Sequence, residues 1–214
     1  MDDIESEWAY EEDPFDVIHA RHLAFSIRDY GELIKQCYRY VNGPFPVWFL
    51  DSLTKNRSVK PSGCVEFQDW DAYPISEDGS LDGTGLQRYY DEVYGAFEEA
   101  GYEVHPGPKL EQWFRDAGFV NIHVEKIFIP YGVWPKDPYL VSFPLPLSRN
   151  ISTDLFGQKK VGAWAQAQAE AALEGGALTA LTRHKQWTKE EVMLLTSEAR
   201  ADGRRRDIHM MLNL

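Results

Sequence analysis

The chain has 214 residues, enough for one domain with a sizeable core and too few to demand two. Apolar residues make up 43% and aromatic residues 14%, which excludes wholesale disorder. A formal net charge of -12 argues against nucleic acid or an anionic membrane as a partner, because the bulk field would repel both.

Read in order, the chain opens on the acidic run Asp2-Asp3-Ile4-Glu5 and breaks at Asp13-Pro14. Phe15 to Ala20 is a short apolar run with a helix-like segment beyond it. That is the pattern of a buried parallel strand, and it sets His19 and Arg21 at the carboxyl end, where open α/β sheets bind ligands. Asp29 is placed to cap a helix running to about Tyr40, with Leu33, Ile34, Cys37 and Tyr38 on its apolar face. Val41 to Val59 carries Pro44, Pro46, Trp48, Phe49 and Leu50 without a clear period. Lys60-Pro61-Ser62-Gly63 is a turn, Cys64 to Asp69 reads as a second strand ending in polar residues, and Ser76 to Gly85 is a polar loop.

Leu86 to about Gly101 is helical, with Gly101 as the C′ residue. Pro108 to Ala117 is a short helix with Pro at its start and Gly118 at its end. Val120 to Tyr131 alternates as a strand does, and Trp134-Pro135-Lys136-Asp137-Pro138 is a rigid turn. Val141 to Gly157 again lacks period. Lys160 to about His184 is an Ala-rich helix weakened by Gly175-Gly176, and Thr188-Lys189-Glu190-Glu191 is a capping box opening a helix that ends near Gly203. Arg204-Arg205-Arg206 reads as the solvated end of that helix, and Asp207 begins a last strand. Tyr89, Tyr90, Tyr94, Trp113, Trp134 and Trp164 read as core rather than as a substrate box. Cys37 and Cys64 have no motif spacing and fit buried or free thiols. Without a signal-peptide h-region or a membrane-length apolar run, a soluble intracellular chain is expected, in cytoplasm or nucleus. The element order gives an α/β fold with at least two parallel strands.

Several stretches in this order carry a resemblance: Asp2-Asp3-Ile4-Glu5-x-Glu7-Trp8, Phe15-Asp16-Val17-Ile18-His19-Ala20-Arg21, Val65-Glu66-Phe67-Gln68-Asp69, Pro106-Gly107-Pro108-Lys109-Leu110, Ala117-Gly118-Phe119 and Trp134-Pro135-Lys136-Asp137. Together they resemble the distal two-thirds of fungal LaeA-like, S-adenosylmethionine (SAM)-dependent class I methyltransferases. The resemblance implies a Rossmann-like sheet, SAM as cofactor, an unknown methyl acceptor, and regulatory proteins of fungal secondary metabolism as partners. It makes Phe15–Ala20, Cys64–Asp69, Val120–Tyr131 and Asp207 onward strands four to seven, with helices on both faces. The Gly-rich loop after strand one and the acid after strand two would then be absent. Leu81-Asp82-Gly83-Thr84-Gly85 resembles that loop in letters only, because a polar loop rather than a buried strand precedes it.

By the same resemblance, Asp3 would accept a hydrogen bond from the adenine amino group, a solvated acidic terminus being the competing reading for Asp2 and Asp3. Ile4 would offer its backbone N–H to the ring and pack on it, and Trp8 would wall that pocket. His19, Ala20 and Arg21 would line the methionine side of SAM. A satisfied histidine and an ion-paired arginine are the competing readings for His19 and Arg21. Gln68, Asp69 and Trp70 would face the acceptor, and Asp69 could orient or deprotonate a nucleophile, with a helix N-terminal cap or a loop hydrogen bond as the competing reading. His19-x-x-His22 lacks a third ligand, so no metal site is assigned.

Against the family pattern, Val41–Val59 and Val141–Gln158 are extra. Both are expected to be retained introns: Val141-Ser142 can be encoded by GTAAGT, Thr153-Asp154 can hold CTGAC, and Gln158 can be CAG. Genuine surface insertions, cheap in loop entropy, are the competing reading. A strand four without strand one would have an open edge, and SAM binding by this chain alone is expected to be very weak. A non-catalytic interaction fragment of the same fold is the alternative function. A nicotinamide-dependent enzyme lacks support, because no G-x-G-x-x-G follows a strand.

Overall fold

The computed structural model describes residues 3–9, 15–42, 63–135 and 155–213. The element order is β1 (Val17–Arg21), α1 (Tyr30–Asn42), β2 (Cys64–Gln68), β3 (Asp71–Ile75), α2 (Gly85–Glu99), α3 (Gly107–Ala117), β4 (Phe128–Pro130), α4 (Leu155–His184), α5 (Lys189–Gly203) and β5 (Met211–Asn213). This is a mixed α/β chain whose strands form two sheets. β1 and β2 pair in parallel, Val17 opposite Cys64 through to Arg21 opposite Gln68. β5 lies between β3 and β4 and is antiparallel to both.

Local chemistry sets most of the boundaries. Asp29 Oδ1 accepts from Glu32 N at 2.9 Å and so starts α1 as its capping side chain. Thr84 caps α2, and Gly101, at φ +85, closes it in the left-handed region. Gly118, at φ +101, ends α3 in the same way. Thr188 and Glu191 form the complete capping box of α5. α4 is longer than its sequence period implies, and its first turn reaches back to Leu155, inside Val141–Gln158. The rest of that segment, Lys136 to Pro138 of the proposed turn, and Gly43 to Val59 lie outside the described residues.

Two apolar clusters hold these elements. The larger joins α2, α4 and α5 through Leu86, Val93, Leu181, Val192 and Leu195, with Met210 entering from the approach to β5. The smaller joins Ile27, Tyr30, Leu33 and Ile34 to Trp8, Phe67 and Trp113. Burying one such aliphatic side chain fully contributes roughly 2 kcal/mol.

Three expectations are corrected. Phe15–Ala20 is not a strand buried on both faces. β1 starts at Val17 and alternates, with Val17 58% exposed, because α1 packs on one face of the β1–β2 pair and no element among the described residues packs on the face bearing Val17, His19 and Arg21. Val120–Tyr131 is not a continuous strand, since only Phe128–Pro130 finds a partner and β5 is just three residues long. The segment before it is broken by Asn121 at φ +58 and leaves Val120 79% exposed. Trp164 is not core: it is 72% exposed on α4. β3 was unforeseen, because Asp71-Ala72-Tyr73-Pro74-Ile75 mixes charge and proline and pairs with β5 only through an irregular register. Among the described residues, no helix is long and apolar enough to cross a membrane.

Candidate functional site at the carboxyl ends of β1 and β2

The chain turns sharply after β1. His22, a non-glycine residue at φ +56, and Phe25, at φ +67, redirect it toward α1. Asp69, one residue past β2, holds this turn together. Its carboxylate accepts from Leu23 N at 3.0 Å, from Ala24 N at 3.1 and 3.2 Å, from Tyr30 Oη at 2.7 Å and from Trp70 N at 2.9 Å. Asp69 is buried, and its oxygens are committed to these donors. Burial first, and the neighbouring Asp69 carboxylate second, pushes the Tyr30 phenol far above its ordinary range, so it stays a neutral donor. Asp69 therefore acts in this structure as the clasp between the two strand ends.

Strand periodicity separates the predicted trio on β1. His19 and Arg21 share the exposed face, whereas Ala20 is half-buried on the other face, opposite Phe67. His19 Nδ1 lies 2.9 Å from Glu66 Oε2, and Gln68 Nε2 donates to the other Glu66 oxygen at 2.8 Å. These two contacts, that from Gln68 being the larger, hold the Glu66 carboxyl below its usual range. His22 turns elsewhere: its Nδ1 accepts from Trp70 Nε1 at 2.5 Å, with the two rings stacked 5.5 Å apart.

The segment Asp3–Trp8 is tied to the same end of the fold. Glu5 Oε1 accepts from Arg28 N at 2.8 Å and Asp29 N at 2.9 Å, immediately before α1. Trp8 N donates to Gln36 Oε1 at 3.0 Å, and Trp8 Nε1 donates to the Ile4 carbonyl at 2.9 Å. Tyr40 Oη donates to the Trp8 carbonyl. Asp3 Oδ1 accepts from Glu5 N, which leaves Asp3 Oδ2 and the Ile4 N–H without a hydrogen-bond partner among the described residues.

A third strand-end element went unread in the sequence. The loop between α2 and α3 runs alongside the turn after β1, with Phe25 N bonded to Glu103 O and Glu103 N bonded to Ile27 O. It carries His105, whose Nδ1 is 2.5 Å from Asp71 Oδ1. Asn213 Nδ2 donates to the second Asp71 oxygen at 3.2 Å. Nothing in the stretch Tyr102 to Pro106 marks His105 in sequence; only a positive φ at His22, invisible in letters, makes the neighbouring turn special. The Gly83-Thr84-Gly85 turn is used for packing instead. Gly85 N donates to Asp202 Oδ2 at 2.6 Å, and a Cβ there would press on Glu198 Cβ at 2.8 Å.

The model of a family described as "Methyltransferase domain" matches residues 2–124, which contain every residue placed above at this site except Asp202, Glu198 and Asn213. "Methyltransferase pytC" of Aspergillus terreus is 29% identical over 214 residues, covering 100% of this chain and 55% of that protein. "Secondary metabolism regulator LAE1" of Cochliobolus heterostrophus is 25% identical over 215 residues, covering 99% of this chain and 58% of that protein. "Protein-methionine methyltransferase laeA" of Emericella nidulans is 22% identical over 208 residues, covering 97% of this chain and 46% of that protein. The chain spans about half the length of the curated relatives it matches.

Proposed function

The chain belongs to the methyltransferase-domain family, and from that membership we propose that it serves SAM-dependent methyl transfer in the manner of the fungal secondary-metabolism regulators it is similar to. The observation that carries this reading is the family match across residues 2–124, which takes in both strand ends and the Asp3–Trp8 segment. The chemistry of the residues there suits the cofactor. The free Asp3 oxygen is an acceptor and the neighbouring Ile4 N–H is a donor, the pair an adenine edge requires. Trp8 is held beside them by its bond to the Ile4 carbonyl. His19 and Arg21 stand together on the open face of β1, where Arg21 offers a guanidinium to a carboxylate such as that of the methionine moiety. Bound SAM supplies an electrophilic methyl group on a sulfonium. The chain's own part is to hold that group and align an acceptor with it, which by itself accounts for much of the rate. Regulatory proteins are the partners that go with this reading.

The test is a chemical-shift titration of the full chain with SAM and with S-adenosylhomocysteine. Because no described element covers His19 and Arg21, the expected affinity is weaker than micromolar, on the order of millimolar. The expected perturbations centre on Asp3, Ile4, Trp8, His19 and Arg21. No saturable change at any of these amides in several millimolar SAM sinks the reading. Micromolar binding leaves it standing and removes the expectation of a half-formed pocket.

A further inference from the structure

We propose that His105, oriented by Asp71, is the proton acceptor for a hydroxyl-bearing methyl acceptor at this site; the proposal rests on the methyltransferase reading.

The imidazole of His105 is held against a carboxylate. His105 Nδ1 and Asp71 Oδ1 lie 2.5 Å apart and shut off from solvent, close enough for an ion pair though not aligned as a hydrogen bond. Asp71 is itself positioned: its other oxygen takes the Asn213 amide, and Gly107, the first residue of α3, packs against it, so that a Cβ there would be in van der Waals contact with Asp71 Cβ at 3.4 Å. The Tyr73 ring, 5.5 Å away and edge-on, fixes the plane of the imidazole. His105 N is bonded in turn to Glu103 Oε1 at 2.9 Å, and Lys109 Nζ balances Glu103 at 2.7 Å. A carboxylate this close to Nδ1 favours the neutral tautomer with its proton on Nδ1 and its lone pair on Nε2. About a third of the side chain is exposed, and with Nδ1 buried that exposure belongs to the Nε2 side of the ring. Nε2 has no hydrogen-bond partner among the described residues.

The position matches the chemistry. Asp71 lies two residues past the clasp Asp69, and the loop carrying His105 is bonded to the turn after β1, so His105 lies near the carboxyl ends of both parallel strands. In the step, the acceptor oxygen forms a bond to the methyl carbon as the carbon–sulfur bond breaks. The hydroxyl proton passes to His105 Nε2, and the products are a methyl ether, a neutral thioether and an imidazolium. Asp71 stabilises that imidazolium and is a positioning residue.

Two measurements on the full chain decide it. Long-range nitrogen–proton correlation spectra of neutral His105 are expected to show the proton on Nδ1 in the wild type and a shift toward Nε2 in D71N. A proton on Nε2 in the wild type overturns the proposal whatever the activity. The second measurement is methyl transfer from several-millimolar SAM to phenol and to 4-nitrophenol in mildly alkaline buffer, where only the latter is largely ionised. H105Q is expected to lose on the order of 100-fold or more with phenol, yet less than about 10-fold with 4-nitrophenol, because an acceptor that is already an anion needs no base. D71N is expected to lower kcat with phenol and leave KM unchanged. Equal losses with both phenols, or SAM binding without transfer to either by the wild type, overturns the assignment of His105 and leaves the methyltransferase reading intact. Loss of SAM binding itself, read by the shift titration, fells both.

Discussion

The Tyr30 phenol donates to the Asp69 carboxylate at 2.7 Å, and this one contact links α1 to the residue that closes β2. Tyr30 is 1% exposed and stacks on Trp113 at 5.5 Å, so the bond lies inside the smaller apolar cluster. Asp69 also holds Leu23 and Ala24, so the carboxylate ties the turn after β1, the end of β2 and the start of α1 to one point.

Replacing Asp69 by Asn puts an amide donor against some of these N–H and O–H donors. The expected loss is about 3 kcal/mol, since removing one partner of a buried charged network strands the others. Y30F removes one bond and is expected to cost about 2 kcal/mol. Urea unfolding of both single variants and the double variant measures the coupling. A double variant no worse than D69N alone supports the clasp, and full additivity refutes it.

Gly162 lies on α4 where the helix meets the turn after β4. Its carbonyl accepts from Gly132 N at 3.0 Å, and a Cβ on it would collide with the Gly132 carbonyl oxygen. Helix propensity alone favours G162A by about 1 kcal/mol. The collision involves backbone on both sides and so dominates, and a net loss of about 2 kcal/mol is expected. Thermal unfolding decides the sign, and a stabilised variant shows that α4 is not seated here.

Glu170 on α4 receives Arg204 Nε at 3.2 Å and Nη2 at 2.8 Å, which closes α4 on the end of α5. The Arg204 guanidinium, the larger cause, holds the Glu170 carboxyl below its usual range against the opposing effect of burial. With the folded pKa depressed, the stabilisation is present above the ordinary glutamate pKa and is lost as pH falls through the lowered value. Because Arg204 is largely exposed, solvent screens this contribution and keeps it small. E170Q is expected to show that deficit at neutral pH and to converge with the wild type in acid. A deficit independent of pH points to lost packing instead.

Helix ends were legible because they are written in single residues with local effects. Asp29, Gly101, Gly118 and the Thr188–Glu191 pair each act within a turn of their own position. The parallel pairing of β1 with β2 followed from two apolar runs separated by a helix. Coverage was not legible. Whether a strand is buried on one face or two depends on what packs there, and the Phe15–Ala20 run has no letter that reports it. β3 and β4 are held by three residues of β5, a partner more than eighty positions away for either strand, so local alternation misled at Val120–Tyr131 and gave no signal at Asp71–Ile75. The candidate site divides the same way: family order offers candidates such as Asp3 and His19, whereas the contact of His105 with Asp71, and of Asp71 with Asn213, is made by the fold from distant sequence.

The two thiols test the one-sided burial of the β1–β2 pair directly. Cys37 is 1% exposed on α1, and burial pushes its thiol up to about 12. Cys64 begins β2 on the open face and is exposed. Only the thiolate reacts, so Cys37 is disfavoured by both access and ionisation. Native protein treated with iodoacetamide is expected to take up one label at Cys64, with Cys37 slower by about 100-fold or more, and both are expected to react in urea. Comparable native rates at the two positions refute the buried seat of α1. Protection of Cys64 in the native chain shows instead that the face carrying His19 and Arg21 is covered, which also removes the reason for expecting only millimolar SAM affinity.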